Sequence, residues 1–229
     1  YVFNRGIPSI AIFDADSGDF LSSWGEGVFP RAHGLTLGPD ETLYCTDDGD
    51  HTMRACTLDG KVVMTIGIPG KPSPFMAGEP FHRCTHTALS PQGDLYISDG
   101  YGNARVHKYA PDGRLLFSWG EPGTGPGQFN LVHSVWEVGG KVYVADRQNN
   151  RIQIFTPEGK YLDEWGGFLQ PCDLFVDSDN IMYVAELQAR VTIIDLNGNV
   201  QVRLGDPEVR KPEPGKFIGP HGVWVDRHG

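Results

Sequence analysis

The sequence predicts an all-β fold of the β-propeller class, and three observations predict it. An aliphatic and aromatic strand that ends in an acid recurs at separations of 52, 47 and 40 residues, a blade-sized period. Strands with alternating hydrophobicity follow each copy, and no stretch has helical periodicity. The 30 glycines and 17 prolines among 229 residues suit many short strands joined by tight turns. The four copies are Leu43–Asp47, Leu95–Asp99, Val142–Asp146 and Met182–Glu186.

Each repeat is predicted to contain four strands. An innermost strand precedes the strand that ends in the acid, and an alternating strand such as Arg151–Phe155 follows it after a polar turn. The last strand ends in Trp-Gly or in an aliphatic variant of it. The second-strand tyrosines and the tryptophans are expected to pack between neighbouring blades. The last strands end at Trp24-Gly25, Ile66-Gly67, Trp119-Gly120, Trp165-Gly166 and Leu204-Gly205.

The two ends of the chain are predicted to form partial repeats. The chain starts within a second strand, supplies outer strands at 10–13 and 20–24, and stops at Val223–Asp226 in an innermost strand. Four full blades over 30–205 lie between these ends. We favour a six-bladed propeller whose first and last blades are incomplete, with residues 1–229 as one domain. The alternative is a five-bladed closure in which the two partial blades complete each other.

Histidine occupies one register of the innermost strand in alternate repeats, at His33, His133 and His221, while Thr85 and Cys172 hold this register in the repeats between. Innermost strands line the central channel of a propeller, and alternate blades of a six-bladed ring are about 120° apart. Three neutral imidazoles with an open fourth position form a catalytic zinc site. The sequence therefore predicts that the three histidines bind one Zn²⁺. The alternative is that each is a polar residue of its own blade core.

The loops after the second strands hold further candidates. Arg5, Tyr101 and Arg147 lie in such loops of different blades, so we expect them to surround one cavity. An arginine would bind a substrate carboxylate through its planar fork. A phenol beside a divalent cation loses its proton more readily, which makes Tyr101 a candidate base. Asp99 and Asp146 are expected to cap turns.

Composition narrows the range of partners. A net charge of -10 and a pI near 5.2 argue against nucleic acid or anionic lipid as the main partner. No apolar run approaches membrane-spanning length. The four cysteines allow three paired connectivities and impose none. A small-molecule or peptide substrate is the expected partner, and the oligomeric state and compartment are left open.

Two family resemblances carry the interpretation further. Residues 144–155 follow the consensus of the NHL repeat, a four-stranded propeller blade. Several segments from the first residue to the last resemble the peptidyl-α-hydroxyglycine α-amidating lyase, the second catalytic domain of the enzymes that make C-terminally amidated peptides. These segments are Tyr1–Gly6, Ala32–Leu35, Ser98–Arg105, Trp119–Glu121, Pro126–Phe129, Val132–Ser134, Ala145–Arg147 and Pro220–Gly222.

The resemblance implies a six-bladed propeller that holds zinc through His33, His133 and His221. It also implies that Arg5 is the catalytic arginine, Tyr101 the base, and Arg147 a further active-site arginine. The implied reaction is an N-dealkylation, in which a peptide ending in α-hydroxyglycine collapses to the peptide amide and glyoxylate. The resemblance favours a secreted or periplasmic protein.

The sequence departs from the family at several positions. Gly222 stands where the animal enzymes have an acid that helps to hold calcium, so calcium is a weaker expectation than zinc. The family's cysteines are replaced by Gly102, Tyr143 and Ile154, so its two disulfides are absent. Without a hydroxylating domain to supply the usual substrate, another small carbinolamide or hydroxy acid is an alternative. Two rival functions remain, a metal-dependent propeller hydrolase or lactonase and a non-catalytic NHL scaffold.

Overall fold

The structure is a computed structural model that describes residues 1–208 and 213–226, and it is built from strands with one 3-10 turn at Arg147–Asn149. The first sheet contains β1 (Val2–Phe3), β2 (Ile10–Phe13) and β3 (Phe20–Trp24). The second contains β4 (Ala32–Leu37), β5 (Leu43–Asp47), β6 (Thr52–Cys56) and β7 (Val62–Ile66). The third contains β8 (Cys84–Leu89), β9 (Leu95–Asp99), β10 (Arg105–Tyr109) and β11 (Leu115–Trp119).

A two-stranded parallel ribbon, β12 (Glu121–Pro122) and β13 (Gln128–Phe129), follows the third sheet. The fourth sheet contains β14 (Val132–Val138), β15 (Lys141–Asp146), β16 (Arg151–Phe155) and β17 (Tyr161–Trp165). The fifth contains β18 (Pro171–Val176), β19 (Ile181–Glu186), β20 (Arg190–Asp195) and β21 (Val200–Gly205). In each four-stranded sheet the strands lie in sequence order, which confirms the predicted all-β propeller class.

The chain divides into two compact units. The first unit holds residues 1–103 and 107–117, and so contains the first two sheets and most of the third. The second unit holds residues 104–106 with the described residues from 118 onward, including the fourth and fifth sheets. Over the described parts of both units, no helix is long and apolar enough to cross a membrane.

The predicted strand at the end of the chain is wrong. Residues 221–226 form no strand, and nothing in the described residues pairs with them as a sheet neighbour. The Val223 N–H instead donates to the Asp173 carboxylate at 3.0 Å, and the Trp224 ring packs on Phe175 with centroids 4.6 Å apart. Alternating hydrophobicity predicts a strand only where a neighbouring strand accepts its hydrogen bonds. The segment is therefore held by side chains.

The first strand of every four-stranded sheet contains a β-bulge at the same register. Pairing with the second strand skips one residue in each sheet, so that residue lies out of the ladder and its side chain is re-aimed. The sequence aligned His33 with His133, and with one residue in each of the other two complete repeats. The bulge confirms that these four positions are structurally equivalent. The skipped residues are His33, Thr85, His133 and Cys172.

The acid that ends each second strand ties that strand to the start of its own blade. Asp99 accepts the His82 N–H at 3.0 and 3.1 Å, and Asp146 accepts the Asn130 N–H at 2.7 Å. Burial raises the pKa of the Asp146 carboxyl, while these donors and the Arg151 guanidinium oppose the rise. Asp99 and Asp146 are therefore structural, as predicted.

The three tryptophans that end last strands pack as predicted, each on a glycine in the turn of the following repeat. A Cβ on Gly60, Gly159 or Gly198 would lie within 3.0 Å of the indole of Trp24, Trp119 or Trp165, and all three glycines have positive φ. Only glycine suits both the turn and the contact. Buried aliphatic and aromatic residues, Tyr143 among them, fill the space between successive sheets of the second unit.

Candidate functional site

His33 is the predicted ligand in the first unit, and its ring is oriented by the next blade. Its Nδ1 lies 2.7 Å from the carbonyl oxygen of Thr85, the skipped residue of the third sheet. A carbonyl only accepts, so Nδ1 carries the proton and Nε2 keeps its lone pair. Histidine ligands of metals are held in this way by a carbonyl or carboxylate. Gly34 permits the contact, since a Cβ there would lie 2.5 Å from the same Thr85 oxygen.

His133 repeats this arrangement in the second unit. Its Nδ1 lies 2.7 Å from the carbonyl oxygen of Cys172, and the residue is only 2% exposed. The His221 ring meets it edge to face with centroids 4.6 Å apart. His221 lies in the terminal segment that Asp173 anchors through the Val223 N–H. Asp173 is itself fixed by the Ser134 hydroxyl, which donates to it at 3.0 Å.

Among the described residues, His33, His133 and His221 form a histidine triad whose ligand atoms all lie within 4.8 Å of one another. Two of the three have Nδ1 on a carbonyl and so offer Nε2. Neutral imidazole nitrogens suit Zn²⁺, which binds them at about 2.0–2.1 Å. The donor set therefore fits a divalent transition metal with an open coordination position.

Tyr101 lies against His33, the first of the predicted ligands. Its hydroxyl is 3.2 Å from His33 Nε2, and the two rings meet edge to face at 5.3 Å. The loop that carries it is packed tightly, because a Cβ on Gly102 would lie 1.9 Å from the His82 ring. His82 thus fills the space that a side chain at position 102 would need. The phenol oxygen is placed next to the nitrogen that would bind the metal.

Two arginines and a buried acid extend the site beyond Tyr101. The Arg83 guanidinium carbon lies 4.6 Å from the centroid of the Tyr101 ring. Asp48, whose side chain is 0% exposed, accepts from Arg83 at 2.7 Å and from Arg31 at 3.0 Å through the same oxygen. The sequence analysis missed Arg31, Arg83 and Asp173.

The predicted arginines have different surroundings. Arg5 is exposed in the first unit, and its Nε donates to the carbonyl of Ala32, the residue before His33, at 3.2 Å. Arg147 lies on the 3-10 turn in the second unit, and its backbone N–H donates to Leu131 at 3.1 Å. Burial raises the pKa of Cys172 to about 11, although the Arg147 guanidinium beside the thiol opposes the rise. All four cysteines, Cys45, Cys56, Cys84 and Cys172, are buried and free.

The curated relatives of this chain include NHL-repeat proteins and amidating enzymes. It is 36% identical over 178 residues to NHL repeat-containing protein 3 of Homo sapiens, covering 72% of this chain and 51% of that protein. It is 34% identical over 157 residues to peptidyl-glycine alpha-amidating monooxygenase A of Xenopus laevis, covering 66% of this chain and 17% of that protein. It is 29% identical over 160 residues to peptidyl-alpha-hydroxyglycine alpha-amidating lyase 1 of Drosophila melanogaster, covering 64% of this chain and 29% of that protein. The chain thus spans about half the length, or less, of these relatives.

Solved structures support the fold alone. A gluconolactonase from Xanthomonas campestris superposes with a TM-score of 0.61 at 13% identity, covering 86% of this chain and 66% of that one. A virginiamycin B lyase from Staphylococcus aureus superposes with a TM-score of 0.58 at 17% identity, covering 81% of this chain and 58% of that one. No protein-family model matches the sequence.

Proposed function

Because the chain belongs to the NHL-repeat family that includes the peptidyl-α-hydroxyglycine α-amidating lyases, we propose that it is a zinc-dependent lyase of the same reaction class. The substrate is an α-hydroxyglycine derivative or a related carbinolamide. Its hydroxyl oxygen loses a proton and becomes the aldehyde oxygen as the N–C bond breaks. The bonding electrons pass to the nitrogen, which takes up a proton, so the products are an amide and glyoxylate.

His33, His133 and His221 would hold the metal. A bound divalent ion supplies positive charge that acidifies a hydroxyl lying against it and attracts a carboxylate. Nδ1 donation from His33 and His133 to backbone carbonyls fixes both rings before any ion binds. That preorganisation raises metal affinity, because the ligands lose little freedom on binding.

Tyr101 would take the hydroxyl proton. Its oxygen lies 3.2 Å from His33 Nε2, the nitrogen that would hold the metal. The neighbouring Arg83 guanidinium lies over the Tyr101 ring and helps to hold the phenol in place. Tyr101 is therefore the candidate base.

Arg5 and Arg147 would bind substrate. Arg5 is exposed beside the His33 bulge with part of its fork free to meet a carboxylate. We assign it the carboxylate that leaves as glyoxylate, and we assign Arg147 to substrate orientation.

The observation that carries the proposal is the histidine triad together with the phenol on one of its nitrogens. The experiment is to supply benzoyl-α-hydroxyglycine to the zinc-loaded protein and to measure glyoxylate and benzamide. We expect both products in equal amounts. The Tyr101→Phe variant should lose about 10²–10⁴-fold in kcat while retaining its zinc.

His133→Ala tests the metal, with Thr85→Ala as its matched control. Thr85 occupies the same bulge register as His133 but is not one of the proposed ligands. Alanine at this position keeps the backbone carbonyl that orients His33. X-ray absorption at the zinc edge should show one bound zinc in the control and little in His133→Ala. Absence of product from the zinc-loaded wild type would defeat the lyase proposal.

A second candidate is a non-catalytic NHL scaffold, which the 36% identity to NHL repeat-containing protein 3 favours. A scaffold has no need of three converging imidazoles, so zinc content separates the two. If the purified protein binds no zinc and His133→Ala changes nothing measurable, the scaffold is supported. A lactone opened without glyoxylate release would instead support a metal-dependent hydrolase.

A further inference from the structure

Arg31 and Arg83 occupy equivalent positions in adjacent repeats. Each lies two residues before the skipped residue of its first strand, where the later repeats have Leu131 and Gln170. The equivalence brings both guanidinium groups to one oxygen of Asp48, at 3.0 Å from Arg31 and at 2.7 and 3.2 Å from Arg83. The pair is thus a feature of these two repeats only.

Asp48 holds the two arginines in place, and its own carboxylate is buried. Its side chain is 0% exposed, whereas the side chains of Arg31 and Arg83 are 42% and 34% exposed. Its second oxygen is buried and has no hydrogen-bond partner among the described residues, so the arginines are the groups that balance its charge. Removing either arginine would leave a poorly compensated buried carboxylate.

The neighbouring acids are turned away from this surface. Asp47 is buried and accepts the backbone N–H groups of Arg31, Gly49 and Asp50. Asp50 is buried and paired with Arg54 at 2.5 Å. The charge that faces solvent here is therefore positive, on a protein whose net charge is -10.

Position relative to the catalytic groups suggests what this surface binds. Arg83 lies over the Tyr101 ring, and Arg31 is two residues from His33. Planar guanidinium forks bind carboxylates in a bidentate manner, and Arg31 uses only one of its side-chain nitrogens on Asp48. A substrate held with its hydroxyl at Tyr101 could reach these donors with its acyl end.

We infer that Arg31 and Arg83 form a second carboxylate-binding subsite, which selects α-hydroxyglycine derivatives whose acyl group carries an acid. The inference rests on the proposed function for the identity of the substrate. The first carboxylate of such a dianion binds at Arg5, and the second binds at Arg31 and Arg83.

The test is direct binding of two inert analogues, N-succinylglycine and N-propionylglycine, which differ by one carboxylate. Calorimetry on the zinc-loaded protein at low salt should show that the succinyl compound binds about tenfold more tightly. Arg31→Gln should reduce this ratio to about one, whereas Arg31→Lys should retain part of it. Arg31 is preferred to Arg83 for substitution because it does not touch Tyr101.

Arg203→Gln is the matched control, because it removes the same charge from an exposed site in the second unit. It should leave the ratio unchanged. Equal binding of both analogues by the wild type, no measurable binding of either, or an unchanged ratio in Arg31→Gln would overturn the subsite. A preference for the succinyl compound without glyoxylate release from any hydroxyglycine would leave the subsite standing and defeat the lyase.

Discussion

At the scale of single residues, the orientation of His33, the first of the proposed metal ligands, depends on Gly34. A Cβ at this position would lie 2.5 Å from the Thr85 oxygen that holds His33 Nδ1, and 3.1 Å from the His86 Cα. Gly34→Ala should therefore push the third sheet away and break this hydrogen bond. We expect a loss of about 1–3 kcal/mol in the free energy of unfolding and about tenfold in zinc affinity. Denaturant melts and competition with a zinc chelator measure both.

Gly166→Ala is the control for this substitution. A Cβ at Gly166 would meet nothing within 4 Å, and its φ is not positive. Alanine there should leave zinc affinity and stability nearly unchanged. If Gly34→Ala matches that control, the close approach of Thr85 does not orient His33.

His51 provides a pH-dependent contribution to stability. Its Nδ1 accepts the Arg83 N–H at 3.0 Å, so the folded state needs the neutral ring. Burial, followed by the nearby His82 ring, lowers its pKa below 6.5, while Asp50 and Asp99 oppose the shift. At pH values below about 6.5, His51 is therefore protonated more in the unfolded state than in the folded state. Its contribution to the free energy of unfolding is present above that pH and is lost as the pH falls through the folded-state pKa.

The corresponding measurement compares wild type and His51→Gln between pH 7.5 and 5 in EDTA, so that bound metal does not differ between the two proteins. The wild type should lose more stability across about pH 6.5 and below. Glutamine accepts the Arg83 N–H through its carbonyl and does not titrate. Parallel pH profiles for the two proteins would show that His51 takes no part.

The residues that could be predicted from the sequence are those that repeat. His33, His133 and His221 share one register, and Tyr101 follows the acid of its repeat, so a periodic pattern located them. The contacts of Asp48 with Arg31 and Arg83 depend on the side-chain conformations of separate loops, which no periodic pattern contains. Arginine at one register in two adjacent repeats was the available signal.

At the scale of the strand, the β-bulge explains why histidines of different repeats are equivalent. Strict alternation would give each strand residue a fixed face, but the skipped residue leaves the ladder and turns its side chain aside. The sequence pattern supplied the register and could not supply the bulge. The same limit explains the wrong prediction at 223–226, where alternation was present but a pairing strand was not.

The terminal segment instead depends on Asp173. One carboxylate oxygen accepts from the Ser134 hydroxyl and the Leu174 N–H, both at 3.0 Å, and the other accepts from the Val223 N–H at 3.0 Å. Asp173→Asn places an amide N–H₂ against one set of these donors. We expect zinc affinity to fall about 10–100-fold through loss of support for His221, with the five sheets retained.

Zinc competition and far-ultraviolet circular dichroism measure these two effects. Asp177→Asn is the control, because Asp177 anchors a turn of the fifth sheet through the Ile181 N–H at 2.9 Å. Unchanged zinc affinity in Asp173→Asn would mean that His221 is held by other contacts.

At the scale of the whole molecule, the class of fold was predictable because its period is carried locally by each repeat. The number of blades was not predictable, since it depends on how the three-stranded first sheet and the terminal segment are accommodated, and no repeat encodes that. The proposed metal ligands are separated by 100 and 88 residues, so a site built from them would likewise be a property of the whole chain.

Zinc binding should therefore stabilise the protein as a whole. An ion that binds the folded state alone adds about 2.7 kcal/mol when its free concentration is 100 times Kd. For a chain of this size 1 kcal/mol corresponds to about 2–4 °C, so we expect Tm to fall by about 5–10 °C when EDTA removes the ion. Differential scanning fluorimetry with and without EDTA measures the change. In His133→Ala the two curves should coincide, because two remaining imidazoles bind zinc too weakly to link the distant segments. A wild-type Tm that EDTA leaves unchanged would show that the triad does not bind zinc tightly in the folded protein.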